Sequence, residues 1–424
     1  MSGDTNLGVR SARIAADLEE LAAVTEPGRP YTRRAFTPLH AEGRAVLKRN
    51  FEAAGLTARI DPAGNLVGRR AGSQLGLGTI MLGSHSDTVP DGGRFDGVAG
   101  VVAALEVARA LADRGIALRH DLEIVDFLAE EVSIFGVSCV GSRGMAGLRP
   151  EGWLARSVDG TTLEEALREA GGDASREFRR DDVTAFLELH IEQGPVLEAE
   201  RRDIGVVTAI VGITRVEVTV EGRADHAGTT PMGHRLDALS AAARLVLAVE
   251  AEALRLSGGA RHFAATVGEF EMTPNAANVV PSHVRLLIDV RAEDRDDLER
   301  FAQALDAGIA EISGATGVRM ASRRISEAGA VPMNAGVVAT LEAASEAVGA
   351  RHRRLASGAG HDAAFLARIS RAGMIFVPCR DGRSHTPEEW AEAADIALGA
   401  AVLLNAVLML DEEGKGQSDG SNSG

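Results

Sequence analysis

The sequence predicts a discontinuous α/β domain interrupted by a smaller α+β domain of ferredoxin-like order. Three observations predict it. Up to about residue 208 the chain alternates buried-strand and helix patterns, the βαβ rhythm of a sheet covered by helices. From residue 209 the hydrophobic period shortens to strict alternation, and the order becomes β-α-β-β-α-β. From Ala335 onward, helix and buried-strand patterns resume. The 424 residues exceed one ordinary compact domain. The predicted segments are 1–208 and 327–411 for the α/β domain, 209–326 for the insertion, and 412–424 for a disordered tail rich in Gly, Ser, Asp and Glu.

The elements follow in order. Residues 11–26 and 37–55 carry Leu, Ala and Val at helical spacing. Gly78 to Gly83 is a short apolar run that reads as a buried strand. Val98 to Ala112 has helical period, and Asp121 to Ala129 is again a strand. Phe186 to Ile191 is a strand closed by Gly194-Pro195. In the insertion, Ile213 to Glu221, Phe263 to Phe270, His283 to Val290 and Val318 to Arg324 read as strands. Leu236 to Leu256 and Asp294 to Ser313 read as its helices, and Ile325 to Met333 as the returning linker. Met374 to Val377 is a last buried strand, a helix is expected to begin near Pro387, and Ala400 to Leu410 reads as buried helix.

Composition excludes several classes. With 45 Lys+Arg against 61 Asp+Glu the formal charge is −16, which disfavours nucleic acid and anionic lipid as partners. The N-terminus lacks the basic and apolar regions of a signal peptide, and no apolar run reaches the roughly 18 residues expected of a membrane helix. Two cysteines, Cys139 and Cys379, exclude a disulfide framework and suit a reducing cytoplasm, the expected location. Any metal site must therefore draw on carboxylates and the 11 histidines.

Four polar clusters follow strand patterns. His85-Ser86-Asp87 follows the first strand, and Gly92-Gly93-Arg94-Phe95-Asp96-Gly97 comes shortly after. A His and an Asp two apart can place an imidazole on a metal while the carboxylate holds the other ring N–H. Glu130-Glu131 follows the next strand, where one carboxylate can bind a metal and its neighbour handle a proton. His190 and Gln193 end the third, and Ser384-His385 precedes Pro387. Taken singly these read equally as a turn, a solvated charge pair, a structural histidine and a helix-capping loop. Taken together, at the carboxyl ends of strands of one α/β domain, His85, Asp96, Glu131, His190 and His385 can hold two divalent ions, one carboxylate bridging. The one Gly-x-Ser-x-Gly spacing, Gly416 to Gly420, falls in the polar tail with no strand before it and does not compete, and neither cysteine has a nucleophile's context.

The motifs Gly83-Ser84-His85-Ser86-Asp87-Thr88-Val89-Pro90, Gly92 to Gly97, Ala129-Glu130-Glu131 and Leu189-His190-Ile191-Glu192-Gln193-Gly194-Pro195 resemble those of M20-type metallohydrolases. They resemble in particular the hydantoinase/carbamoylase amidase branch: N-carbamoyl-L-amino-acid hydrolases, β-ureidopropionases and allantoate amidohydrolases. Gly222 to Met232 and Ser357 to Ala363 extend the likeness over roughly residues 15 to 410. The resemblance implies a catalytic domain with an inserted lid that also makes a homodimer. It implies one ion on His85, Asp96 and His190, and a second on Asp96, Glu131 and His385, with zinc, manganese, cobalt or nickel all suitable. Asp87 would orient His85, and Glu130 would be the general base. His226 would stabilise the oxyanion, and in the family some lid residues serve the partner subunit's site. Arg291 and Asn278 would hold the substrate carboxylate, with backbone N–H near Gly360 assisting, and Gln193 would contact the ureido or amide end. His361, inside the Gly-His-Asp motif, would shape the site wall, while His40, His120, His234, His262, His283 and His352 have no motif context. Two departures stand out: Ile134 where the family often has Arg, and Ser86 between His85 and Asp87.

The function implied is metal-dependent hydrolysis of a linear C–N bond, first of all in an N-carbamoyl-L-amino acid or similar ureido acid. Allantoate and N-acyl or conjugated amino acids are the alternatives within the enzyme class. A metal-free binding or scaffold protein is the alternative outside it, but such a protein has no chemical use for five ligands plus Glu130.

Overall fold

The structure is a computed structural model and describes residues 8–175, 178–259 and 261–413. The tail expected from 412 lies, beyond Glu413, outside the described residues. The chain divides into two compact units. The first comprises the residues up to Thr208 together with 333–355 and 361 onward; the second comprises Ala209–Pro332 and Ala356–Gly360.

In the first unit, helices α1 (Ser11–Ala22) and α2 (Pro38–Ala53) precede the hairpin β1 (Thr57–Ile60) and β2 (Leu66–Arg70). Then come β3 (Thr79–His85), α3 (Val98–Asp113), β4 (Asp121–Phe127), β5 (Val183–Ile191) and β6 (Ile204–Ile210). Thr37 starts α2 by accepting the His40 N–H, with Pro38 at the first helical position, where its missing N–H costs nothing. The sheet runs β1-β2-β4-β3-β5, with β3 parallel to both β4 and β5. All seven residues of β3 are buried, as are thirteen of the sixteen in α3, so neither shows an amphipathic face.

The second unit holds β7 (Gly212–Glu221), α4 (Ala238–Ser257), β8 (Phe263–Thr273), β9 (His283–Ala292), α5 (Arg295–Thr316) and β10 (Arg319–Ala328). Its antiparallel sheet has the order β8-β9-β7-β10. Val216, Val218, Val220, Val284, Leu286, Ile288 and Val290 alternate along β7 and β9 and pack against Leu245, Val249, Phe301 and Leu305 of the two helices. The domain boundary expected after residue 326 falls inside β10, whose pairing with β7 continues to Ala328.

The chain returns through α6 (Ala335–Ala347), β11 (His352–Ser357) and β12 (Arg371–Val377) to α7 (Ala393–Glu412). β12 lies parallel to β5 and antiparallel to β6, which extends the sheet. Two expectations need correction here. No helix begins near Pro387: residues 383–392 are loop and turn, and α7 starts at Ala393. That helix is also 20 residues long and apolar enough to cross a membrane by composition. Its Ile396, Leu403, Leu404 and Val407 are fully buried, and it packs on α3 and α6 as a core helix does.

Candidate functional site

The carboxyl ends of three adjacent strands deliver the first groups. His85 is the last residue of β3, Glu130 and Glu131 follow β4, and His190 is the penultimate residue of β5. Asp96 comes from the glycine-rich loop ahead of α3. A Cβ on Gly97 would meet the His85 ring, and its φ of +64° is one that glycine adopts freely. His385 comes from the loop after β12.

Asp96 lies between two groups of donors. Its Oδ1 is 3.1 Å from His190 Nε2 and 4.0 Å from His85 Nε2. Its Oδ2 is 3.1 Å from His385 Nε2, and that nitrogen is also 3.1 Å from Glu131 Oε1. Donor atoms within each of the sets His85, Asp96, His190 and Asp96, Glu131, His385 all fall within 4.8 Å of one another. Both sets are oxygen and imidazole nitrogen, which suit zinc and its first-row neighbours.

The hydrogen bonds around these rings show what the site is built to hold. His85 Nδ1 donates to the Asp87 carbonyl at 3.0 Å, and His190 Nδ1 donates to the Ile191 carbonyl at 3.0 Å. The neutral rings therefore turn Nε2 lone pairs toward carboxylate oxygens; that of His190 also accepts the Gly97 N–H at 3.1 Å, and the facing lone pairs are relieved by a cation or a proton between them. The charges register the same demand. Burial opposes a proton on His85, but Glu130, Asp87 and Asp96 outweigh it and hold its pKa well above the usual value. Hydrogen bonds to Asp96 and Glu131 raise His385 to about 10. Asp96 is driven the other way: burial resists its ionisation, yet His190 and His385 carry its pKa well below the carboxylate range. A divalent ion fits this donor set without protons.

Glu130 is 9% exposed, with Oε2 3.6 Å from His85 Nε2. Burial, with added repulsion from Asp362, Glu131 and Asp87, pushes its proton affinity well up against the pull of His85. Asp87 does not hold His85 in the expected manner. Its main-chain carbonyl takes the ring N–H, and its carboxylate, 3.6 Å from that nitrogen, accepts the Glu130 and Glu131 amides at 3.2 Å each. It thereby ties the β3 loop to the β4 loop. Gln193, at a left-handed φ of +55°, donates to Asp96 Oδ1 at 3.2 Å and to Ser384 Oγ at 3.0 Å. His361 is buried, its ring 4.6 Å from that of His190.

Sequence reasoning missed several supports. The buried Arg33 donates to the Ser86 carbonyl at 2.9 Å and to Leu21 and Val24 carbonyls at the end of α1. Gly43 leaves room for its stem, since a Cβ there would lie 2.7 Å from Arg33 Cδ. Cys139, which has no nucleophile's context, places Sγ 3.7 Å from Glu130 Oε1. The buried Glu389 accepts two amides of the Asp96 loop. None of these has a local sequence signature except the glycines that make room for them. His40, without a motif, is a buried ring whose pKa burial lowers to about 3, a core residue. Ile134 packs on the apolar cluster of Leu128, Phe135 and Leu163.

The remaining predicted residues belong to the second unit. His226 Nδ1 accepts the N–H of Gly228 at 3.0 Å and of Thr229 at 3.2 Å, so its Nε2 carries the proton and is a hydrogen-bond donor. The Asn278 carbonyl accepts the Ala227 N–H at 3.0 Å, which holds these two segments together. Arg291 donates to Asp289 Oδ1 at 2.8 Å and to the Gly358 carbonyl at 2.7 Å, on the segment that leads to Gly360. Among the described residues, no heavy atom beyond Gly360 and its chain neighbours lies within 4 Å of where a Gly360 Cβ would be.

The chain matches the model of peptidase family M20/M25/M40 over residues 81–409. It is 38% identical over 408 residues to an N-carbamoyl-L-amino-acid amidohydrolase of Paenarthrobacter aurescens, covering 95% of this chain and 98% of the relative. It is 36% identical over 383 residues to an allantoate amidohydrolase of Bacillus subtilis, covering 89% and 92%. A crystal structure of a hydantoinase/carbamoylase family amidase from Burkholderia multivorans superimposes with a TM-score of 0.90 at 40% identity, over 95% of this chain and 98% of that one.

Proposed function

The chain belongs to peptidase family M20/M25/M40, and on that premise we propose that it hydrolyses the ureido C–N bond of N-carbamoyl-L-amino acids, with two divalent ions at Asp96. It is a hydrolase of carbon–nitrogen bonds other than peptide bonds. The observation that carries the reading is Asp96, buried and flanked on both carboxylate oxygens by imidazoles, with the Glu130 carboxylate 3.6 Å from His85 Nε2. Divalent ions there supply Lewis acidity and lower the pKa of water.

The residues have distinct work. Glu130 takes a proton from the attacking water and passes it to the leaving nitrogen as the carbamoyl C–N bond breaks. The products are the L-amino acid and carbamate, which falls to ammonia and CO2. A carboxylate whose proton affinity is raised by burial suits a group that must both accept and return a proton. Asp87 holds Glu130 and Glu131 through their amides. The His226 Nε2–H is suited to the developing oxyanion, Arg291 and Asn278 with the Gly360 backbone to the substrate carboxylate, and Gln193 to the ureido or amide end. Arg291→Ala is expected to raise KM for carboxylate substrates about 10- to 100-fold and to change kcat little, the signature of lost ground-state anchoring. Steady-state kinetics checks this, and an unchanged KM removes the anchor role.

We also propose that the protein works as a homodimer through the second unit. β8 and β10 are the edges of its sheet, and Leu247 and Leu254 stand exposed on α4. Allantoate is the second substrate reading, supported by the Bacillus subtilis relative. The test is ammonia release from N-carbamoyl-L-amino acids and allantoate, and amino-acid release from N-acyl amino acids, with Mn, Co, Ni or Zn added. The highest kcat/KM is expected on a carbamoyl amino acid; preference for allantoate selects the second reading, and release from neither sinks both.

A further inference from the structure

Glu389 is 1% exposed, although it lies in a loop crowded with polar residues. Its Oε1 accepts the Phe95 N–H at 2.9 Å and the Asp96 N–H at 3.0 Å, across more than 290 residues of chain. Its Oε2 accepts the Ser384 hydroxyl at 2.7 Å, on the residue next to His385. The Ser384 oxygen in turn accepts from Gln193 Nε2, which also donates to Asp96 Oδ1. One carboxylate thus stands at the junction of three loops that carry Asp96, His385 and Gln193.

Two further observations show that this junction is built. A Cβ at residue 93 would lie 1.9 Å from Glu389 Oε1, so Gly93 is the residue that lets the carboxylate in. His385 and Gln193 both sit at φ +55°, a left-handed conformation that costs a non-glycine residue about 1 kcal/mol or more. Such conformations persist where the surroundings dictate them, and the Glu389–Ser384–Gln193 chain joins both. Burying a second carboxylate beside Asp96 is costly in itself. Stability alone would favour an apolar residue at this place, whereas a cation centre gains from having its ligands pre-set.

We infer that Glu389 is a positioning residue for the metal centre: through the Asp96 loop amides and the Ser384 hydroxyl it sets where Asp96 and His385 stand. The inference rests on the metal-dependent reading above. Glu389 touches neither substrate nor ion; it acts through the ligands. Asp96 serves both ions and His385 only one, so the two halves of the junction have separable effects. Glu389→Gln can still accept the loop amides but no longer accepts the Ser384 proton, and it loses the charge that strengthens all three bonds. Ser384→Ala cuts only the arm to His385 and Gln193.

The test is zinc affinity of the full-length apoprotein, titrated against a chromogenic chelator, with the melting temperature of each apoprotein taken alongside. Ser384→Ala is expected to weaken one of the two zinc equivalents about 10-fold, and Glu389→Gln to weaken both by about 10- to 100-fold. A wild-type protein that binds no zinc removes the metal reading and this inference with it. Wild-type binding with unchanged affinities in both variants overturns this inference alone, whatever happens to the melting temperatures. If Glu389→Gln does not fold, Ser384→Ala decides: two wild-type zinc affinities in that variant overturn the assignment.

Discussion

Glu130→Gln is expected to lower kcat by about 1,000-fold or more while the purified protein keeps its full metal content. The substitution preserves shape and removes only the ability to take and return a proton. Glu130 is not among the atoms that close either donor set around Asp96, whereas its neighbour Glu131 is. Its Oε2 instead faces His85 from 3.6 Å, and its amide is held by Asp87, so the side chain can change without moving the loop. The repulsion it shares with Glu131, Asp87 and Asp362 should also ease, and the variant should melt no lower than the wild type. Steady-state rates, ion content and thermal melting of one preparation check all three statements. Substantial activity in this variant sinks the base assignment, and loss of metal makes Glu130 a ligand.

Asp96→Asn is expected to lose both ions and all measurable turnover. Asp96 faces His190 with one oxygen and His385 with the other, and each contact is 3.1 Å. An amide offers one neutral oxygen and, on the other side, a donor. One of the two histidine sets would then face an N–H where it needs an anion, and no bridge remains. The loop should keep its path, because Glu389 holds it by the backbone amides and not by the Asp96 side chain. A folded variant with less than one ion per subunit is the expected outcome. A variant that retains two ions would remove Asp96 from its bridging place.

The sheet and its site are legible in the sequence for a common physical reason. Strands β3, β4 and β5 are buried and mostly apolar, and polar residues gather at or just beyond their ends because chemistry collects at the carboxyl ends of parallel strands. Local pattern therefore locates His85, Glu130, Glu131 and His190. It cannot locate Glu389 or Arg33, whose importance lies in bonds to chain far away in sequence. The expected helix near Pro387 fails for a related reason. The Pro-Glu-Glu run is a good helix start, but Glu389 turns inward to the Asp96 loop, and the helix waits until Ala393. The hairpin β1–β2 escapes because its strands are four and five residues long, with β1 half-exposed. Spacing marks Asp87 as a partner of His85, but the choice between its carbonyl and its carboxylate is a matter of angstroms that spacing does not encode.

The central claim is that the Asp96 centre is a pair of metal sites serving C–N hydrolysis. It is tested most directly by stripping the purified protein with a chelator and adding back a divalent ion in measured steps, while ammonia release from an N-carbamoyl-L-amino acid is monitored. The account predicts no release from the stripped protein and recovery that saturates near two ions per subunit. Full activity in protein shown to be free of metal would contradict it.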